Sequence, residues 1–313
     1  MKMMNRCPRT FIVNFSASLL FVIFSVTVFA DEAPQPARAA APRRVVSLAP
    51  SITETVFALG FGDRLVGVTT YCDYPPEARQ LPKIGGFINP SLEAIVDKRP
   101  DLVIGVGDST HPVKIKEIEN LGIKVALINV TSLEDIINSF KSIARLLGNP
   151  QAGDRLANNL TRRLEAVQKR VAPAPRRSTL LAVGARPLVA VGGKNFIDEL
   201  ITMAGGDNIA GDSTQPWLNL PDEYVVAKAP QVIIQAGMGS ERGAPAKYWR
   251  DLKSIPAVKE GRVYSYPSDK ILRPGPRVGE GLEEIARLIH PECFTTPSKD
   301  RRNAENRCES PRP

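Results

Sequence analysis

The chain spells nearly the same segment twice. Residues 89–104 read N-P-S-L-E-A-I-V-D-K-R-P-D-L-V-I, and residues 219–234 read N-L-P-D-E-Y-V-V-A-K-A-P-Q-V-I-I. Asn89, Glu93, Val96, Lys98, Pro100 and Ile104 return as Asn219, Glu223, Val226, Lys228, Pro230 and Ile234, each 130 positions on. Each copy reads as a short helix, a proline that helix cannot pass, then an apolar run suited to a strand buried on both faces. Asn89 stands where a cap belongs, with Pro90 at the first helical position. A unit repeated at this distance predicts two similar lobes rather than one core, with a cleft between them. It also sets two carboxylates, Glu93 and Glu223, at equivalent points. That is a plan for capturing a ligand.

The two ends read differently from the rest. Lys2, Arg6 and Arg9 precede an apolar run from Phe11 to Phe29 that closes on Val28-Phe29-Ala30. This pattern is that of a secretory signal peptide over residues 1–30. The run is also just long enough for a membrane anchor, but no second apolar segment accompanies it. Cys7 precedes the run and so is not a lipid-attachment cysteine. Residues 31–42 are an Ala/Pro-rich linker, and residues 291–313 have the composition of an unstructured tail. Much of the net charge of +8 sits in the leader and in the tail from Lys299 onward. The body of the chain thus gives no electrostatic reason to expect nucleic acid.

Outside the cytoplasm, Cys293 and Cys308 are candidates for a disulfide that closes a tail loop, which leaves Cys72 as a buried free thiol. With only His111 and His290 in the chain, no Cys/His spacing resembles a metal site. Both histidines are read as surface or structural residues.

Between the ends, strands alternate with helices, the signature of parallel, doubly wound sheets. Arg44–Ala49, Leu65–Thr69, Leu102–Val106 and Val125–Val130 read as strands. Glu54–Leu59, with Ser51 or Thr53 as its cap, and Lys114–Leu121 read as helices. Tyr71-Cys72-Asp73-Tyr74-Pro75-Pro76 reads as a loop. Helical patterns follow at 133–147 and 151–171, the second with Leu156, Leu160, Leu164, Val167 and Val171 on one face. A long helix there acts as a stiff strut that permits only modest lobe closure. Strands at 179–183 and 263–266, helices at 196–204, 248–252 and 277–289, and a loop carrying Trp217 complete the second lobe. The expected boundaries are 43–147 for the N-terminal α/β lobe, 148–175 for the bridging helix and 176–290 for the C-terminal lobe.

These segments resemble a known family. Val45-Val46-Ser47-Leu48-Ala49-Pro50-Ser51-Ile52-Thr53-Glu54, the Tyr71–Pro76 loop, Leu92–Val96 with Pro100-Asp101-Leu102-Val103, Gly122–Val125 and Gln215-Pro216-Trp217 are similar to the cobalamin-binding periplasmic (BtuF-like) proteins. Those proteins are substrate-binding subunits of vitamin and iron-chelate ABC importers. The resemblance covers roughly residues 43–290. It implies two α/β lobes joined by a single long helix, a monomer in the periplasm, and a partner in the importer's inner-membrane permease dimer. The implied function is capture of cobalamin or a related corrinoid for delivery, with neither catalytic residues nor a protein-held cofactor or metal.

The resemblance also assigns roles. Glu93 and Glu223 fall where the family carries its permease-docking carboxylates, and complementary charge there favours orientation more than affinity. Ser51, Tyr71, Phe87, Trp217, Asp269 and Arg273 fall in the cleft-facing segments. Tyr71, Phe87 and Trp217 would wall an apolar macrocycle, while Asp269 and Arg273 would meet amides or phosphate. Arg277 is read as capping or pairing locally. Phe87 and Val106 stand where cobalamin binders often carry tryptophan. Ferric siderophore and haem are therefore the alternative ligands, the first with Arg186, Arg242 and Arg273 as candidate cations, the second with Tyr71 or His111 as axial ligand. A secreted hydrolase is the enzyme alternative, but G-x-S-x-G is absent and the two histidines stand far from any nucleophile motif.

Overall fold

The computed structural model describes residues 41–107, 112–183, 187–237, 247–267 and 269–295. The leader, most of the linker, His111, Arg186, Arg242, Cys308 and the tail beyond residue 295 lie outside them. Among the described residues no helix is long and apolar enough to cross a membrane.

Four parallel strands make the first sheet: β1 (Val45–Ser47), β2 (Leu65–Val68), β3 (Leu102–Val106) and β4 (Val125–Ile128), in the order β2-β1-β3-β4. Every residue of β1 and β3 is buried, which is why their sequences are apolar without alternation. Alternate side chains serve opposite faces. Val46 and Val103 pack with Ile95 of α2 (Leu92–Asp97) and Ile118 of α3 (Pro112–Asn120). Val45, Leu102 and Ile104 pack instead with Ile52 and Val56 of α1 (Pro50–Ala58). The sheet is thus doubly wound. Its order reverses at β1, so the crevice at the C-terminal end of that strand is where a ligand is expected.

The second sheet has the order β10-β9-β5-β6-β8, with β7 also paired to β5. Its strands are β5 (Arg177–Ala182), β6 (Val189–Val191), β7 (Gly206–Asn208), β8 (Trp217–Asn219), β9 (Val232–Gly237) and β10 (Val263–Pro267). β6 and β8 run antiparallel to their neighbours, so this lobe is mixed rather than fully parallel. β6 and β7 did not stand out in the sequence, because three residues give no period to read. Trp217, expected in a loop, opens β8.

Two helices connect the sheets, α4 (Leu133–Leu146) and α5 (Pro150–Val171). The 22 residues of α5 span about 33 Å at 1.5 Å per residue. The apolar stripe expected on α5 finds its cover in the structure. Its Ala157, Leu160, Leu164, Val167 and Val171 are buried with α4, with α6 (Phe196–Met203) and with α11 (Val278–Ile289). The expected separation of the lobes is corrected in part: each keeps an apolar cluster of its own, but the two also share one. One apolar cluster runs from Val45 and Ile104 of the first sheet, through α4 and α5, to Leu181 and Ile234 of the second. Gly153 makes the α4–α5 crossing close: a Cβ there would lie 2.7 Å from the Ala144 Cβ and 2.8 Å from the Phe140 carbonyl oxygen.

Local starts and stops differ from expectation at a few points. α1 begins at Pro50, whose missing N–H belongs in a first turn. Ser51 and Thr53 therefore lie inside the helix and do not cap it. Thr53 instead donates to the Ser47 Oγ at 2.8 Å. α2 begins later than expected and is capped by Ser91, which accepts from the Ala94 N–H at 3.2 Å, so Asn89 and Pro90 precede the helix. Pro76–Gln80 forms a 3-10 turn that starts on the last residue of the expected loop, and Pro291–Cys293 forms another where the tail was expected to have begun. His290 is fully buried, with its ring nitrogens facing Glu292 and the Gly205 carbonyl, as a structural histidine would be. Cys72 is a buried thiol held beside the hydroxyls of Thr53 and Thr69.

Candidate functional site

The crevice at the end of β1 is where the two lobes meet, and ion pairs join them there. Glu54 sits on the first turns of α1, 3% exposed. Two arginines from the far lobe reach it. Arg277, at the start of α11, forks onto the carboxylate, Nε to Oε2 at 2.8 Å and Nη2 to Oε1 at 2.6 Å. Arg273, just after α10 (Asp269–Leu272), donates Nη1 to Glu54 Oε1 at 3.1 Å and to Asp73 Oδ1 at 2.6 Å. The same guanidinium approaches Asp269 at 3.3 Å and the Tyr71 carbonyl at 3.4 Å. Planar guanidinium is suited to this work because its donors match a carboxylate two at a time.

The electrostatics follow. Burial by itself would raise the Asp73 carboxyl, but the hydrogen bond and charge of Arg273 hold it below the usual carboxylate range. Burial would lower Arg273 and Arg277, but the facing carboxylates hold both above the usual arginine value. The Tyr74 ring lies 4.0 Å below the Arg277 guanidinium, a cation–π contact that adds to the tie. Gly275 runs beside Ser51 of the first lobe, where a side-chain carbon would sit 3.4 Å away, in ordinary contact. A recess of about 530 Å³ opens beside the tie, lined by Phe57, Tyr74, Pro276 and Glu280 among others.

A second cross-lobe contact lies elsewhere on the seam. Glu199 of α6 accepts the Leu133 N–H at the start of α4, at 3.1 Å. Burial pushes its carboxyl up, the Leu133 N–H opposes the shift, and Asp198, Asp135 and Glu134 reinforce it.

The expected ligand contacts divide into groups. Ser51, Asp269 and Arg273 are brought together at the tie, with the Tyr71 backbone. Ser51 is 4% exposed, so little of it faces solvent. Tyr71 and Phe87 share one lip of the first lobe, since the Thr70 N–H donates to the Gly85 carbonyl at 2.9 Å. The Tyr71 side chain is 62% exposed, whereas Phe87 is half-buried against the core. Trp217, 40% exposed, stands apart on β8. Four strand spacings of about 4.8 Å separate β8 from β10, roughly 19 Å across the sheet between Trp217 and the strand that leads to Arg273.

Glu93 and Glu223 are both exposed, each at the second residue of its helix, α2 and α7 (Asp222–Lys228). Val96 and Val226, one turn further on, are also exposed, at 40% and 38%. Among the described residues, no group of three or more His, Cys, Asp or Glu is placed to hold a metal ion.

Sequence reading missed Glu54 and Asp73 as members of the site and expected Arg277 to act locally. The ion pairs join residues 219 and 223 positions apart, and no local pattern encodes such a distance. The available signal was the pair of Pro-rich segments Tyr71–Pro76 and Arg273–Arg277, which hold Asp73 and the two arginines.

Residues 45–270 match the family model described as periplasmic binding protein. An uncharacterized ABC transporter substrate-binding lipoprotein of Bacillus subtilis is 32% identical over 81% of this chain and 82% of its own length. The vitamin B12-binding protein of Salmonella choleraesuis is 32% identical over 80% of this chain and 91% of its own. Among solved structures, the periplasmic vitamin B12-binding protein BtuF of Vibrio cholerae superposes with a TM-score of 0.72 at 26% identity, covering 82% of this chain and 99% of that one. The periplasmic haem-binding protein RhuT of Roseiflexus sp. RS-1 superposes at 0.70 and 27% identity, covering 80% and 99%.

Proposed function

This chain belongs to the periplasmic binding protein family, and from that premise we propose that it captures cobalamin or a related corrinoid between its lobes and delivers it to an ABC importer. The observation that carries the reading is the breadth of the candidate contacts. Exposed aromatic rings on Tyr71 and Trp217 come from different lobes, and Trp217 lies roughly 19 Å across the sheet from the strand that leads to Arg273, a spread that favours a wide ligand. A corrinoid is flat, largely apolar and fringed with amides, and it arrives with its cobalt already chelated. Aromatic faces suit the ring and a few polar groups suit the fringe. The task is binding and release, with no bond made or broken.

Delivery would use Glu93 and Glu223. Their matched positions and exposure support a two-point contact with basic residues on a permease dimer. Steering and register are what such charges supply. Residues 1–30 would direct export and be removed, and the protein would act as a monomer in the periplasm.

The test is fluorescence titration with cyanocobalamin. Trp249 is buried, so quenching through Trp217 is separable by a Trp217→Phe variant. Sub-micromolar quenching that the variant loses is the expected result. Quenching by haemin and none by cyanocobalamin would favour the second reading, a haem binder, for which the exposed Tyr71 phenol is the candidate axial ligand.

A further inference from the structure

Arginine in a ligand cleft ordinarily serves to bind anions: haem propionates, catecholates, hydroxamates and phosphates all need such a partner. At this seam the two guanidiniums are already engaged. Arg277 gives two of its donors to Glu54, and Arg273 divides its own among Glu54, Asp73, Asp269 and the Tyr71 carbonyl. Lys270, the neighbouring cation, is held by Glu280 at 2.9 Å. The acceptors belong to different lobes: Glu54 and Asp73 come from the first, the arginines and Asp269 from the second.

From this we propose that Glu54 and Asp73 determine the charge class of the ligand. By holding Arg273 and Arg277 in a cross-lobe tie, they withhold both cations from the cleft and so select a neutral or amide-fringed ligand over a polycarboxylate or catecholate chelate. The proposal rests on the cleft being the binding site, and it names a specificity device within that site. Glu54 fixes the pair in place from beneath, since it is the more buried acceptor. Asp73, with its side chain 41% exposed, stands at the rim. An anion approaching Arg273 would have to displace Asp73, exchanging one carboxylate for another at no gain, and would meet the remaining acidic groups besides.

The experiment compares haemin, which carries two propionates, with cyanocobalamin, on the parent protein and on Asp73→Ala and Glu54→Gln. Binding is read by equilibrium dialysis, with circular dichroism melts to confirm folding. Asp73→Ala is expected to raise haemin affinity roughly ten- to hundredfold, the scale of one hydrogen bond to a charged group, and to change cyanocobalamin affinity far less. Glu54→Gln is expected to act in the same direction. If Glu54→Gln does not fold, the rim variant Asp73→Ala decides alone. Unchanged haemin affinity in a folded Asp73→Ala protein overturns the proposal, as does a parent protein that already binds haemin as tightly as the variant. Failure of cyanocobalamin to bind the parent would remove the corrinoid reading, while the haemin comparison would still decide the role of the two carboxylates.

Discussion

The lobe tips are built twice and the seam is built once. At the tips, α2 and α7 place Glu93 and Glu223 at the second helical residue, exposed, with exposed Val96 and Val226 one turn away. Even the exits match. Arg99 and Ala229, each just before a proline, adopt left-handed backbone with φ of 45° and 46°. At the seam, Glu54 has no counterpart in the repeat, is buried, and takes two arginines from the other lobe. The same residue type thus does opposite work. An exposed glutamate leaves the fold nearly indifferent to it and remains available to a partner, whereas a buried one fixes geometry and is unavailable.

Removing the charges separates the two regions most sharply. Glu93→Ala with Glu223→Ala is expected to abolish importer-dependent uptake while ligand affinity and melting temperature stay unchanged. Normal uptake by the double variant would end the docking role. Glu54→Ala should do the reverse. It takes the buried carboxylate from Arg277 and one of three from Arg273, a loss of about 3–5 kcal/mol, where either tip variant should stay within about 0.5 kcal/mol. Urea melts of the three single variants measure the contrast.

Acid distinguishes the regions next. The folded value of Asp73 lies below its ordinary 3.8, so its contribution to stability is complete above that ordinary value. It is lost as pH falls through the lower, folded value. The melting temperature of the parent should therefore fall more steeply than that of Asp73→Ala below about pH 4. Parallel curves would show that Asp73 adds nothing to the seam. The smallest effect belongs to the tip exits. Ala229→Gly relieves a left-handed alanine and should raise stability by roughly 0.5 kcal/mol after the entropy glycine loses on folding, and Arg99→Gly should do the same. Destabilisation by either would mean that the backbone there is held by something other than local sterics.

How much was legible varied with range. The buried strand Leu102–Val106 and the start of its counterpart at Val232–Ile234 stood out because apolar runs bounded by turns have few other fates. α5 was legible from its 3.6-residue stripe, but its burial was not, because a stripe shows a face and not what covers it. The α2 start was misplaced by a few residues because Asn89 and Ser91 are both good caps and only packing chooses between them. β6 and β8 were too short to announce themselves, and their antiparallel pairing depends on partners distant in sequence.

The amino-acid order alone determined the duplicated α/β plan, the long connecting helix and the matched tip carboxylates, because each is written in spacings of a few residues. Only the tertiary structure decided that one apolar layer runs through both lobes, and that Glu54 and Asp73 hold Arg273 and Arg277 across the cleft. Those contacts join positions about two hundred residues apart, and their strength comes from the burial that packing creates around them.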